Sequence, residues 1–415
     1  MFHFAYYLPD FQRFLPMNPE LFSIVSKHAE AIYLKVKGYR EHLHQFPELS
    51  YQEFETMAFV SERLSELGIP HETKIGGTGV VGMIRNERHA LDASCVALRA
   101  DLDALPIQED NDDMPYCSKR PGIMHACGHD FHTATLLGVA ELLMSIKDEL
   151  PHPVKLIFQP GEERNPGGAT LMIADAVLEN PKVSHLFALH VFPDLMAGEL
   201  GLKGGLYMAS CDEIHLSING IGGHGAVPAK CVNPLSIAAE IIVSTEGILT
   251  AEKPQDVPQV ISFGRMEALG STNVIPSSAI LKGTFRTMDE VWRKKAHGLM
   301  TQNFEKLAAK YGGTIDVDIS IGYPFLHNDE VLTDKAKKSF ETFFGPQNVI
   351  DLPQRMTSED FSFYSQIAPV CFYRVGVADK NKSVNYGVHH PKFDVDPMSL
   401  LIAMKSFVTC AFIEV

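Results

Sequence analysis

At 415 residues, 45% apolar and 21% charged, the chain is composed like an ordinary globular protein and exceeds the size at which one hydrophobic core stops growing, so two domains are expected. A formal charge of -15 excludes a nucleic-acid backbone or an anionic membrane surface as the natural partner, because either would repel it. The seven cysteines are odd in number and scattered from Cys95 to Cys410, which fits a reducing, cytoplasmic compartment better than a disulfide framework.

In chain order, "MFHFAYYLPDFQRFLPM" is aromatic and broken by prolines, with no basic n-region, and its first ~16 residues are read as an arm or an alternative start. Apolar spacings of three and four predict helices over "LFSIVSKHAEAIYLKVKGYREHLHQ" and "EFETMAFVSERLSELG", the second closed by Gly68. The β-rich runs "GVVGMI", "CVALRA", "VKLIFQP" and "HLFALHV" follow, with a helix "TATLLGVAELLMSIKDEL" between the second and third. This alternation predicts an α/β domain whose sheet contains parallel strands and is covered by helices.

After "GLYMAS" the pattern changes. The runs "DEIHLSING", "QVISFGRMEAL" and "AILKGTFRT" alternate apolar and polar residues as antiparallel strands with one solvated face do, and two helical stretches intervene, "PLSIAAEIIVSTEGIL" and "EVWRKKAHGLMTQNFEKLAAKYG". The expected partition is therefore 17–209 with 323–415 as one domain, interrupted by a smaller α+β domain over 210–322. The chain closes with "CFYRVGV", the turn "HHPKFD" and a helix "MSLLIAMKSFVTCAF". No apolar run is read as approaching the ~18 residues of a bilayer span.

Chemistry concentrates in four places. In "MHACGHDFHT", Cys127 and His129 stand two apart at a strand-to-helix transition, with Asp130 expected as the helix N-cap. Two ligand types alone define no metal, and a buried cysteine beside capping groups fits as well. In "LIFQPGEERNPGGA" a strand ends at Gln159 and is followed after Pro160-Gly161 by Glu162 and Glu163, suited to one metal ligand and one general base, although a solvated acidic loop is the commoner fate of such a pair. His190 closes the apolar strand "HLFALHV", and "VHHPKFD" offers His389 and His390. Each signal is weak by itself, but three of the four follow β-runs, which brings them to one edge of an α/β sheet.

Together with "LHQFPELSYQE", "ALRADLDALPIQE", "GIGGHGAVP", "NVIP", "GTFRT" and "SEDFSFY", these motifs in this order are similar to metallopeptidase family 20. They resemble in particular its amidohydrolase branch of hippurate hydrolases, auxin-conjugate hydrolases and N-acetyl-diaminopimelate deacetylases. The resemblance implies a catalytic domain interrupted by a lid domain that also forms a homodimer. It implies Cys127, His129, Glu163, His190 and His389 as ligands of two divalent ions, zinc first, with manganese, nickel or cobalt also suited to the mixed donors. His389 stands two before Pro391, the family's His-x-Pro form, whereas His125 and His132 are not expected to bind metal.

Two departures mark the branch. Where most members carry His-x-Asp, this chain has Asp101-Leu102-Asp103, expected to support the ligands, and Cys127 stands where others have a bridging Asp. The "RNPGG" after the paired acids is expected to reshape the pocket rim. By the same resemblance Glu162 is the general base, and His224, carried by the partner subunit's lid, steadies the oxyanion. Asn273 and Arg286 are candidates for holding a substrate carboxylate. Glu359 and Asp360 are expected to line or support the site.

The expected reaction is hydrolysis of the amide of a small N-acyl amino acid. A di- or aminoacyl-peptidase on the same scaffold, and a catalytically silent metal-binding relative, are the alternatives.

Overall fold

The computed structural model describes residues 17–90, 92–111 and 114–414, so the expected N-terminal arm lies outside the described residues. The chain forms two units, one running to Gly205 and resuming with Asn328–Pro353 and from Tyr364 onward, the other holding Leu206–His327 and Gln354–Phe363.

In the first unit, helices α1 (Pro19–Gln45) and α2 (Phe54–Glu66) precede strands β1 (His71–Ile75), β2 (Gly79–Ile84) and β3 (Cys95–Asp101). Then come α3 (His129–Ser145), β4 (Val154–Gln159), α4 (Gly168–Ala174), β5 (Val183–Met196) and β6 (Leu200–Leu202). Strand β7 (Gly205–Met208) leads into the second unit. That unit contains β8 (Asp212–Asn219), β9 (Gly223–His224), α5 (Pro234–Glu252), β10 (Gln259–Glu267), β11 (Val274–Ile275), β12 (Ser278–Thr287), α6 (Glu290–Lys310) and β13 (Thr314–Ile321). After β14 (Leu326–Asn328), the chain adds α7 (Glu330–Phe344), β15 (Val349–Asp351), the short α8 (Ser362–Ser365), β16 (Val370–Ala378) and α9 (Ser399–Cys410).

Eight strands build a mixed sheet in the order β1-β2-β4-β3-β5-β16-β6-β15, flanked by helices. Its centre, β4-β3-β5-β16, is parallel. Strands β3, β4 and β16 are buried along their whole length, which is why they read as mostly apolar runs without strict alternation. The second unit carries an antiparallel sheet, β10-β12-β8-β13, with α5 and α6 over one face. Strand β8 alternates buried and exposed residues throughout, as a half-solvated strand must.

The structure departs from expectation in three places. The second unit starts at Leu206 and ends at His327, and it reclaims Gln354–Phe363, which was expected in the catalytic domain. Backbone pairing explains this, since Arg355 N donates to Tyr207 O at 2.9 Å and Ala209 N to Thr357 O at 3.0 Å. Second, α5 has 19 residues and a window of mean hydropathy 1.3, enough by length and composition to cross a bilayer, contrary to the expectation of no such run. It buries Ile237, Ala238, Ile241 and Leu249 in the core of its own unit, and its Glu240 pairs with Lys310.

Third, α3 begins at His129, so Asp130 lies in its first turn and is not the N-cap. The cap is Gly128, in the left-handed region at φ 86°. A Cβ there would meet Val191 Cγ2 at 2.6 Å, so the missing side chain is what lets this turn sit against β5. Asp130 is instead committed to Arg40 and His44. Gly128→Ala is expected to cost about 2–4 kcal/mol in urea unfolding, from left-handed strain plus overpacking against Val191; an unchanged midpoint would contradict this packing.

Candidate metal centre

The parallel strands β3, β4 and β5 deliver the chemistry in the first unit, near their C-terminal ends, where α/β sheets place their sites. Cys127 and His129 flank the Gly128 turn, Glu162 and Glu163 follow β4, His190 lies on β5, and His389 sits on the loop between β16 and α9. The ligand-type atoms of Cys127, His129 and His190 all lie within 4.8 Å of one another, as do those of Cys127, Glu163 and His389. The two triads share the Cys127 sulfur. Within them His190 Nε2 is 3.4 Å from Cys127 Sγ, and His389 Nε2 is 3.1 Å from Glu163 Oε1. Glu162 forms a third such group with His129 and Glu163 and belongs to neither triad.

Neighbouring side chains fix the orientation of these groups. His129 Nδ1 donates to the carbonyl of Asp103 at 2.9 Å and faces its Oδ1 at 3.2 Å, which points Nε2 inward. Asp103 Oδ2 accepts from Ser50 Oγ at 2.6 Å and from the Glu163 backbone N at 3.0 Å, so one buried carboxylate sets both ligand-bearing turns. Asp101 accepts from Arg99 and from His132 Nδ1, each at 2.6 Å. His132 Nε2 in turn accepts from Val191 N at 3.0 Å, so His132 is spent on holding β5 beside the site. His190 Nδ1 donates to Val191 O at 2.8 Å, leaving Nε2 toward Cys127.

The Pro-Gly-Glu-Glu turn has its own supports. Gly161 N donates to Glu53 Oε1 at 2.9 Å, Tyr51 OH donates to Arg164 O at 2.6 Å, and Gly161 lies so close to the Tyr51 ring that a Cβ would meet it at 2.2 Å. His389 has φ 66°, sparsely populated for a residue with a side chain, and its N donates to Ala126 O at 2.7 Å.

The electrostatics call for a cation. Burial, then Glu163 and Glu162, push the Cys127 thiol well up, so a thiolate here requires added positive charge. Burial, then Arg374, hold the His190 imidazole well below the ordinary range, which keeps it neutral with a lone pair to offer. Burial would lower His129 too, but Asp101 and Asp103 outweigh it and raise it to about 10. His129 Nε2 is buried with no hydrogen-bond partner among the described residues, an uncompensated loss unless something else binds it, and Glu163 Oε1 faces another ligand candidate, His389 Nε2, at 3.1 Å. An orphaned donor atom and a sulfur, nitrogen and oxygen set around one space fit a pair of divalent ions.

His224, Asn273, Arg286, Glu359 and Asp360 lie in the second unit. His224 and Val274 are register partners in the β9–β11 ribbon, where Gly225 N donates to Asn273 O at 2.8 Å, so His224 and Asn273 are exposed neighbours. Arg286, half-buried on β12, donates through Nη1 to Ser358 Oγ at 3.1 Å and Met356 O at 3.3 Å. Glu359 and Asp360 are buried, with Phe361 N donating to Glu359 Oε1 at 3.2 Å. His390 stacks on Tyr386 at 4.3 Å and joins no triad, and His125 is fully buried outside both. Sequence reasoning assigned no role to Arg40, His44, Ser50, Tyr51 or Glu53, though the motif "LHQFPELSYQE" contains the last four.

Residues 97–411 match the profile described as Peptidase family M20/M25/M40. An N-acetyl-L-cysteine deacetylase of Bacillus subtilis is 36% identical over 366 residues, covering 88% of this chain and 85% of the relative. Thermostable carboxypeptidase 1 of Saccharolobus solfataricus is 36% identical over 360 residues, covering 86% of this chain and 89% of the relative. Among solved structures, Bacillus subtilis YXEP, a dinuclear metal binding peptidase of the M20 family, superposes with a TM-score of 0.77 at 34% identity, over 92% of this chain and 98% of that one.

Next to the site, His44 holds Asp130 at 2.8 Å and Glu109 at 3.2 Å, fully buried. Burial would lower its pKa, but Asp130 and the bond to Glu109 outweigh it and raise it to about 9. An unfolded histidine titrates near ~6.5, so this stabilisation is complete below ~6.5 and is lost as the pH rises through the folded value. Urea midpoints are expected to fall from pH 6.5 to 9.5 by more in the wild type than in His44→Gln; parallel pH profiles would contradict the ion pair.

Proposed function

The chain belongs to peptidase family M20/M25/M40 and is a hydrolase of amide or peptide bonds, and from that premise we propose that it cleaves the amide of small N-acyl amino acids, releasing a carboxylate and an amino acid. The observation that carries the site assignment is the pair of triads meeting at Cys127, with Glu162 beside them and outside both. Ions held by Cys127 with His129 and His190, and by Cys127 with Glu163 and His389, supply when bound the positive charge that acidifies water and polarises a carbonyl. The mixed donor set suits zinc first, then manganese, nickel or cobalt.

Glu162 takes the proton of the attacking water as the carbon–oxygen bond forms, and returns it to the nitrogen as the carbon–nitrogen bond breaks. His224 steadies the oxyanion as a donor, and Asn273 and Arg286 hold the free carboxylate of the amino-acid half. The exposed Leu235, Ile242 and Val243 on α5 support dimerisation through the second unit, by which His224 of one subunit serves the other. The free thiols support a reducing, cytoplasmic setting.

A peptidase reading has its own support in the carboxypeptidase relative at equal identity. A panel of N-acetyl and N-benzoyl amino acids beside dipeptides separates the two. The expected result is turnover of the N-acyl substrates; turnover confined to dipeptides would overturn the preference. Glu162→Gln is expected to lower kcat by ~10^2- to 10^4-fold with the metal content unchanged. Cys127→Ser is expected to lower the metal content itself. Full activity of Glu162→Gln would refute its role as base.

A further inference from the structure

His389 lies on the stretch between β16 and α9, which holds neither helix nor strand from residue 379 to residue 398. Its own φ of 66° gives the loop no conformational preference for that place, so something outside must hold it. Two backbone bonds help, His389 N to Ala126 O at 2.7 Å and Asp110 N to Pro391 O at 2.9 Å. The charged tie is deeper. Arg40 on α1, 1% exposed, donates through Nη2 to Asp394 Oδ1 on that same loop at 2.8 Å. Through Nε it donates to Asp130 Oδ2 at 3.0 Å, and Asp130 directly follows His129. Tyr116 closes the cluster, its hydroxyl 3.3 Å from Asp394 Oδ1 and its ring 5.2 Å from the guanidinium carbon.

We infer that Arg40 is a positioning residue whose guanidinium, shared between Asp130 and Asp394, sets the His389 loop against the His129 turn and thereby the span of the two ligand triads. A buried ion pair gains little stability over apolar packing, since desolvation offsets the attraction, whereas a planar fork between two carboxylates fixes their separation and angle. Lysine could not span both in this way. The inference rests on the metal reading above, and it predicts a selective effect. The ion of the Cys127, Glu163 and His389 triad depends on the loop, while that of Cys127, His129 and His190 rests on α3, the turn before it and β5.

The test is chelator titration of the metal-loaded enzyme, with metal content per chain as the readout and circular dichroism as the check on folding. Asp394→Asn, which keeps the side chain's shape and a partly exposed position, is expected to release one ion at a ~10- to 100-fold lower chelator concentration while the other matches wild type. Arg40→Met, which also frees Asp130 beside His129, should release that ion at least as early, Arg40→Lys should not restore it, and adding Asp394→Asn to Arg40→Met should weaken that ion no further. Both ions held by Asp394→Asn as tightly as by wild type would overturn the inference. A wild-type enzyme that binds no pair of ions would overturn the metal reading and this inference with it.

Discussion

The site depends on the contact between Gly128 and Val191. A left-handed residue without a side chain allows the turn before α3 to lie directly on β5, and the two flanking residues, Cys127 and His129, therefore face His190. With a Cβ at that position the turn and the strand would have to separate, and the shared sulfur would leave one triad or the other. The glycine thus acts through backbone geometry alone, and it also starts a helix whose first turn is drawn into a buried charge network.

Around that contact the protein has built a nested set of polar supports. Asp103 orients His129 and holds the Glu163 backbone at once, while Asp101 and His132 pass a chain of hydrogen bonds from Arg99 to the β5 backbone. Glu53 and Tyr51 hold the turn that carries the two acids, and Arg40 reaches the His389 loop. Among these supports His129 Nε2 is left buried without a hydrogen-bond partner, and Glu163 Oε1 faces only another ligand candidate, His389 Nε2, at 3.1 Å. Rigid supports with an unsatisfied donor at their centre are what a preorganised cation site requires.

Much of this was legible from residue order. The apolar period gave α1 and α2 to within a few residues, and β-rich runs gave β3 and β4 because both faces of a central parallel strand are buried. The start of α3 was misread because Asp130 has the chemistry of a cap, whereas the actual cap is set by a steric contact with Val191, far along the chain. Gln354–Phe363 was misassigned for a related reason, since its place follows from backbone pairing with residues 207–209. The period also hid the apolar length of α5, because Glu240 and Glu246 interrupt it, and β13 and α7 were not read at all. The residues that brace the site were silent because their partners lie 90, 108 and 354 positions away, a distance at which spacing carries no signal.

Anomalous diffraction from crystals of the metal-loaded enzyme tests the arrangement most directly. The account predicts two peaks per chain, both at bonding distance from the Cys127 sulfur, about 2.3 Å for zinc, one completed by His129 and His190 and the other by Glu163 and His389. A single peak, or a second one bound away from Cys127, would contradict it.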